Sequence, residues 1–178
     1  METLIKASES DFDKITQFYK YVISDTDTML TCCRWIYGLH PADDLIMNYI
    51  KEGCMYYTEA NGIIRSAVAV NPYQSEDYKT VAWPDETKAL SDDEVGTVHI
   101  LAVNPSLRKQ GIATATMKAV IQLIKDMGGK SVRLDALITN HPAKRLYESL
   151  GFVKCDVKNW YAKNLGLADF VLYEYSLY

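Results

Sequence analysis

The hydrophobic pattern along the chain switches repeatedly between a period of two and a period of about 3.6 residues, which predicts alternating strands and helices. The sharpest switch falls at Pro105, because residues 95–103 alternate as a strand whereas an apolar face with helical spacing begins at Ile112. The strongest hairpin signal is Asn61-Gly62, between two short apolar runs. The predicted strands cover residues 3–7, 54–59, 63–70, 95–103, 131–137, 152–158 and 168–177, and the predicted helices residues 13–24, 42–51, 112–127 and 140–150.

This order of elements indicates the fold class. Strands and helices alternate, with one hairpin near the front of the chain and one at the back. We therefore predict an α/β (α+β) fold with a mixed, twisted central sheet of about six to seven strands flanked by about four helices. No linker or internal repeat interrupts the pattern, so we expect a single domain over residues 1–178. Residues 25–40 are aromatic and irregular, and no element is predicted there.

Composition and charge narrow the classes of function. The formal net charge of −4 argues against nucleic acid as the main partner. No apolar run approaches the length of a membrane span, and the N-terminus reads as a strand rather than a signal peptide, so we expect a cytoplasmic protein without a membrane partner. Most of the excess acid lies in a long connection without periodicity, residues 71–94. Loops of this length are usually functional or mobile.

The cysteines and histidines do not have the spacing of a metal site. Cys32, Cys33, Cys54 and Cys155 form no C-x-x-C pair, and the 3 histidines are scattered. We therefore expect no metal and reduced thiols, as in a cytoplasm.

The loop after residues 95–103 has the features of an anion-binding site. Arg108, Lys109 and Gln110 lead directly into the unpaired N–H groups at the start of a helix. Orphan donors and the helix dipole both favour an anion there. Gly111 lets the backbone approach the anion closely. The G-x-x-x-x-G-K-[ST] and G-x-G-x-x-G strings are absent, so neither a P-loop nor a dinucleotide fingerprint is present.

Two motifs in this part of the chain carry a resemblance to a known family. The first is Arg108-x-x-Gly111-x-Ala113, at the start of the predicted helix over residues 112–127. The second is N-x-x-A-x-x-x-Y-x-x-x-G-F over residues 140–152, one helix and one strand later. Together they resemble the GCN5-related N-acetyltransferases (the GNAT superfamily), whose acetyl-CoA signature is [RQ]-x-x-G-x-[GA]. The chain looks like a bacterial-type member of unassigned acceptor.

The resemblance implies acetyl-CoA as the cofactor. Residues 108–113 would wrap the pyrophosphate with backbone N–H groups. In the family the preceding strand carries a bulge and splays from its neighbour, which offers backbone groups near Leu101 and Val103 to the pantetheine. Asn140 would bind pantetheine or cap its helix. The predicted cofactor-binding residues are Leu101, Ala102, Val103, Arg108, Lys109, Gln110, Gly111, Ile112, Ala113, Thr114, Asn140 and Tyr147.

The resemblance also implies where a catalytic acid and base would lie. Tyr147 has the position from which family members protonate the leaving thiolate, a core tyrosine being the alternative. Many members place a glutamate base where this chain has Thr97, which cannot serve as a base. His99 follows, and period two puts Thr97, His99 and Leu101 on one face. His99 is therefore our leading base and Glu94 the runner-up; a histidine that only supports the core or the cofactor is the alternative.

Aromatic residues indicate the acceptor groove, which in this family lies beside the region after the first helix and the last two strands. Aromatic side chains near acids suit a cationic amine. The alternative is that they pack the core or a dimer contact. The predicted substrate-binding residues are Trp35, Tyr37, Tyr161 and Tyr173.

We therefore expect an acetyl-CoA-dependent N-acetyltransferase that acetylates the primary amine of a small molecule or peptide by direct attack in a ternary complex. No cysteine matches a nucleophile position of the family, so no acetyl-enzyme is expected. Two alternatives are a non-catalytic acyl-CoA sensor or assembly module, and a protein N-acetyltransferase. A homodimer is a further expectation.

Overall fold

One seven-stranded sheet forms the centre of the molecule, whose computed structural model describes residues 2–178. The strands are β1 Ile5–Lys6, β2 Met55–Ala60, β3 Ile63–Asn71, β4 Val95–Val103, β5 Ser131–Leu137, β6 Val153–Ala162 and β7 Gly166–Ser176. Their order across the sheet is β1-β2-β3-β4-β5-β7-β6. Within the described residues β4 and β5 form the one parallel pair, and all other neighbours are antiparallel. This mixed sheet confirms the predicted fold class.

Five α-helices cover the two faces of the sheet. They are α1 Phe12–Ile23, α2 Thr26–Thr31, α3 Asp43–Lys51, α4 Ile112–Asp126 and α5 His141–Ser149. α1 and α3 pack over Ala67 and Ala69 of β3, whereas α4 and α5 pack over Val68 and Val70. Residues 67–70 of β3 are all apolar and buried because helices cover both faces of the strand there. Over residues 2–178, no helix has the length and apolar character needed to cross a membrane.

The helix α2 lies within residues 25–40, so the prediction of an irregular segment is wrong for residues 26–31. Asp25 caps this helix, since its carboxylate accepts the backbone N–H of Thr28 at 3.4 Å and the Thr28 hydroxyl at 2.8 Å. A helix of 6 residues is too short to show a hydrophobic period. Capping and packing rather than periodicity therefore fix it.

The acidic connection over residues 71–94 packs on the sheet through apolar side chains. Tyr78, Val81 and Trp83 are buried against Leu172 of β7. The connection is thus packed on the sheet at its centre, whereas most of its acids are exposed.

A buried ion pair also anchors this connection. Arg133 of β5 and Glu174 of β7 are 0% and 3% exposed, and Nε lies 2.9 Å from Oε1. Arg133 also donates to the Thr87 carbonyl at 2.8 Å and to the side chain of Gln74. Its guanidinium lies 4.1 Å from the centroid of the Trp83 ring. One side chain of β5 therefore holds the connection at three places.

β4 carries a bulge and then separates from β5. Towards β3, Ile100 and Leu101 lie opposite the single residue Val68. Ile100 has a φ of 45°, in the left-handed region that a β-branched residue rarely adopts. The buried Tyr19 hydroxyl of α1 donates to the Ile100 carbonyl at 2.8 Å. Towards β5, pairing ends at Val98 although both strands continue, so the sheet opens from there.

The bulge reverses the alternation of side chains along β4. The prediction that His99 and Leu101 share one face is therefore wrong. The His99 ring stacks on Tyr49 of α3, whereas Leu101 packs against the core beneath α4 and α5.

Candidate active site

The divergence of β4 and β5 leaves a cleft of about 780 Å³. Ligand pockets commonly have volumes of about 300–1,000 Å³. Its walls come from β4, β5, the start of α5, the segment around α2 and α3, and the β6–β7 hairpin. Of the residues predicted for the site, those that line the cleft are Trp35, His99, Leu101, Ala102, Val103, Arg108, Ala113, Asn140, Tyr147 and Tyr161.

A smaller cavity of about 240 Å³ adjoins the cleft at the loop between β4 and α4. No backbone N–H of residues 108–114 donates to another group of the described chain. Lys109 and Gly111 have φ values of 61° and 75°, and left-handed residues in such a loop turn successive N–H groups toward one side. The loop therefore suits a diphosphate. Its lining residues are Val103, Leu107, Arg108, Lys109, Gly111, Ile112, Ala113 and Thr114.

The side chains of Arg108 and Gln110, both predicted to bind the cofactor, lie in different surroundings. Arg108 is ion-paired with Asp25 and donates to the Thr28 hydroxyl at 3.0 Å. The hydrogen bonds from Thr28 and from Arg108 lower the pKa of Asp25. Gln110 is exposed and lines neither cavity.

Tyr147 of α5 lines the cleft and is only 6% exposed. Its ring packs against Phe152 and Tyr173 at centroid distances of 5.7 and 5.9 Å. Burial raises the pKa of the phenol above its ordinary value, and the negative charge of Asp135 raises it further. The phenol therefore keeps its proton at neutral pH and can donate it to a ligand. Asn140 caps α5 by accepting the N–H of Ala143 at 3.3 Å.

His99 lines the cleft from β4, beside the rings of Tyr49 and Tyr78 at centroid distances of 6.1 and 6.4 Å. Burial lowers the pKa of His99 below its ordinary value of 6.5, and the charge of Asp135 opposes this shift. The imidazole is thus neutral at pH 7 and can accept a proton. Thr97 is buried and donates its hydroxyl to a backbone carbonyl at 2.9 Å.

Glu94, the runner-up candidate for the base, lies outside the cleft. Its carboxylate pairs with Lys130 and accepts the N–H and the hydroxyl of Ser91, both at 3.0 Å. The hydrogen bonds from Lys130 and Ser91 lower the pKa of Glu94 to about 2. A carboxylate so stabilised in its charged form is a weak base.

Two of the predicted acceptor residues, Tyr173 and Tyr37, also lie outside the cleft. Tyr173 is 1% exposed and donates its hydroxyl to Glu148 of α5 at 2.8 Å. Phe170 lines the cleft instead, because residues of opposite parity on a strand face opposite sides of the sheet. The Tyr37 hydroxyl donates to Asp43.

Sequence reasoning missed a carboxylate and several aromatic residues of the cleft. Asp135 directly follows Leu134, the last β5 residue paired with β4. Tyr78 donates its hydroxyl to Asp135 Oδ1 at 2.6 Å. Tyr49 lies on the same cleft. A charged residue in the second half of a parallel strand, ahead of the second motif, is the signal that points to Asp135.

Comparison with known proteins identifies related sequences. The family model described as Acetyltransferase (GNAT) family matches residues 27–152. N-alpha-acetyltransferase 30 of Schizosaccharomyces pombe is 34% identical over 83 residues, 47% of this chain and 53% of that protein. The mycothiol acetyltransferase of Thermomonospora curvata is 35% identical over 69 residues, 39% of this chain and 23% of that protein. The chain thus spans about half or less of the length of these relatives.

Solved structures share the fold over nearly the whole chain. An acetyltransferase of the GNAT family from Streptococcus agalactiae superposes with a TM-score of 0.77 at 16% identity, over 99% of this chain and 95% of that one. The protein yncA of Salmonella typhimurium, solved with its cofactor acetyl-CoA, superposes with a TM-score of 0.71 at 16% identity, over 100% and 95%. With a family model that matches most of its residues, this chain belongs to the acetyltransferase (GNAT) family.

Proposed function

We propose that this protein is an acetyl-CoA-dependent N-acetyltransferase that acetylates a primary amine by direct transfer within a ternary complex. One arrangement supports the proposal above all: adjoining cavities connect the N–H groups of residues 108–114 with Tyr147 and His99. The names of the relatives, which include N-alpha-acetyltransferases, support the same reaction class.

The residues present fit acetyl-CoA, which when bound supplies an acetyl group activated as a thioester. The N–H groups of residues 108–114 lack acceptors within the described chain, as expected of a loop that binds a diphosphate. β4 has no β5 partner over residues 99–103, so its backbone groups can hydrogen-bond an extended ligand in the cleft. Leu101, Ala102 and Val103 lie on this edge.

Tyr147 and His99 carry the two proton transfers. His99 is neutral at pH 7 because burial lowers its pKa, so it accepts the proton of the acceptor ammonium directly or through a water molecule. Tyr147 keeps its proton because burial raises its pKa, so it can donate that proton to the departing sulfur. One proton enters the protein and one leaves, and bulk water restores both residues.

The state of Cys33 favours direct transfer over an acetyl-enzyme formed on that thiol. Cys32 and Cys33 line the cleft, but burial raises the pKa of Cys33 to about 11. A thiol with such a pKa is almost wholly protonated at pH 7 and is a poor nucleophile. All four cysteines are free, which agrees with the cytoplasmic location included in this proposal.

A panel of small amines and peptides with free N-termini tests this function, with release of free CoA as the readout. Both acceptor classes belong in the panel, since the relatives are named for N-alpha-acetylation and for mycothiol acetylation. Amine-dependent release supports the proposal. Tight binding of acetyl-CoA without release by any acceptor would favour the acyl-CoA sensor or assembly module.

A further inference from the structure

Asp135 places a half-buried carboxylate in the cleft without a cation beside it. It is the first β5 residue beyond the stretch paired with β4, so it lies where the strands part. Tyr78 donates to Oδ1 at 2.6 Å, while Oδ2 accepts no hydrogen bond from residues 2–178 and no basic residue in that range forms an ion pair with Asp135. Loss of hydration disfavours such a carboxylate, and a cationic ligand would compensate for it.

A continuous aromatic wall lies beside this carboxylate. It consists of five cleft-lining rings, those of Tyr49, His99, Tyr78, Trp160 and Phe170. Tyr49 stacks on His99 at 6.1 Å and 16°, and Tyr78 stacks on Trp160 at 5.9 Å and 12°. Tyr78 also lies 6.4 Å from His99, and Trp160 lies 6.1 Å from Phe170. Such ring faces hold an apolar group and attract an ammonium.

The charges of the cleft disfavour an anionic acceptor. Asp44 and Asp77 line the cleft together with Asp135. Of the two basic residues among the lining residues, Arg108 is already ion-paired, which leaves Lys163. A carboxylate on the acceptor would therefore meet a negative potential.

We propose that Asp135 and the aromatic wall form the acceptor subsite, and that this subsite selects a small primary amine with a single positive charge and an apolar body. The ammonium binds Oδ2 of Asp135, next to His99, and the body lies on the ring faces. The inference rests on the proposed function and names its substrate class. A free amino acid is disfavoured by its carboxylate, and a peptide N-terminus by the polar backbone it would bring to the wall.

Benzylamine and phenylglycine form a matched pair of probes, because they differ only by a carboxylate on the carbon that bears the amine. We expect kcat/KM to be at least about tenfold higher for benzylamine. Asp135→Asn keeps the shape and the acceptor for Tyr78 but removes the charge. It should raise the KM for benzylamine about 10- to 100-fold and leave the KM for acetyl-CoA within about twofold.

Two further variants serve as controls. Asp77→Asn removes one charge from the same cleft but keeps both partners of the Tyr78–Asp135 hydrogen bond, and it should change the KM for benzylamine by less than about threefold. Trp160→Leu should raise the KM for benzylamine but not that for methylamine, which has no body to lie on the wall.

An unchanged KM for benzylamine in Asp135→Asn, or an effect no larger than that of Asp77→Asn, overturns the inference. A fall in kcat alone also overturns it, because Asp135 would then act on the proton rather than hold the amine. A wild-type preference for phenylglycine or for peptides overturns the inference but leaves the N-acetyltransferase proposal standing. If the wild type acetylates none of the acceptors, the proposed function fails, and calorimetry with benzylamine then tests the subsite separately. Binding by the wild type that is lost in Asp135→Asn supports the subsite. Equal binding by both proteins, or no binding by either, refutes the subsite.

Discussion

The buried pair of Arg133 and Glu174 leads to a quantitative prediction about stability. In Glu174→Leu, the guanidinium of Arg133 stays 0% exposed but loses the carboxylate 2.9 Å from it. Breaking a buried ion pair by removing one partner costs about 3–5 kcal/mol. Ser131 and Thr87 each lose, in addition, the acceptor of a hydroxyl hydrogen bond of 2.6 Å. We therefore expect a loss of free energy of unfolding in the upper half of that range.

Thermal and urea unfolding measure this loss. For a domain of this size, each kcal/mol lowers Tm by about 2–4 °C, so a decrease of roughly 8–20 °C is expected. Arg133→Met removes the other charge, and the double variant removes both. Since the double variant buries no unpaired charge, it should lose no more stability than either single variant.

Additive losses in the double variant would refute this reasoning, because residues in one buried network do not act independently. A decrease in Tm below about 3 °C for Glu174→Leu would also refute it, since water or another acceptor would then have replaced the carboxylate. The urea midpoints are comparable only if the slope m is the same in all four proteins.

Four further predictions concern the site and the backbone around it, each with steady-state release of CoA or unfolding as the measurement. Tyr147→Phe should lower kcat by about 10²- to 10⁴-fold with little change in the KM for acetyl-CoA, and an unchanged kcat would exclude it as the acid. The wild-type rate should fall as the pH drops through the pKa of His99, which lies below 6.5. This acidic limb of the pH–rate profile should be absent in His99→Gln. An acidic limb that persists in the variant excludes His99 as the base. Gly111 and Gly62 both have a φ of 75° and open space around an added Cβ. Gly111→Ala and Gly62→Ala should therefore each lower the free energy of unfolding by about 1–2 kcal/mol. Only Gly111→Ala should also raise the KM for acetyl-CoA. Tyr19→Phe leaves the Ile100 carbonyl without its donor and should cost about 1–3 kcal/mol, with a lower kcat if the bulge shifts; stability equal to wild type would show that the hydroxyl does not hold the bulge.

The sequence predicts those elements whose signal is local. β4 spans residues 95–103, the range that its sequence pattern predicts, and α4 begins directly after Gly111, as the first motif indicates. The bulge at Ile100 has no such signal. Its left-handed backbone depends on the facing β3 strand and on the hydroxyl of Tyr19, which lies 81 positions away in the sequence.

The face of the sheet on which each side chain lies is a second feature that the sequence alone does not predict. Composition places tyrosines on the last two strands, but only the register decides that Phe170 lines the cleft and Tyr173 lies in the core. For the same reason Asp135 is not predicted as a site residue, since the sequence of its strand only alternates between apolar and polar residues. It becomes a cleft residue because β4 stops pairing one position earlier, at Val98↔Leu134.

Two charged side chains on β5 contact the same connection but differ in whether another residue compensates their charge. Arg133 and Asp135 are two positions apart on β5 and therefore face the same side of the sheet. Both hold the connection over residues 71–94, Arg133 through Gln74 and Thr87 and Asp135 through Tyr78. The charge of Arg133 is paired with that of Glu174 inside the protein, so we expect the loss of this pair to lower the free energy of unfolding. The charge of Asp135 is matched by no other residue of the described chain, so its loss is expected to appear in the KM for the amine. An Asp135→Asn variant that lowers Tm as much as Glu174→Leu does, but leaves that KM unchanged, would assign both residues to the fold alone.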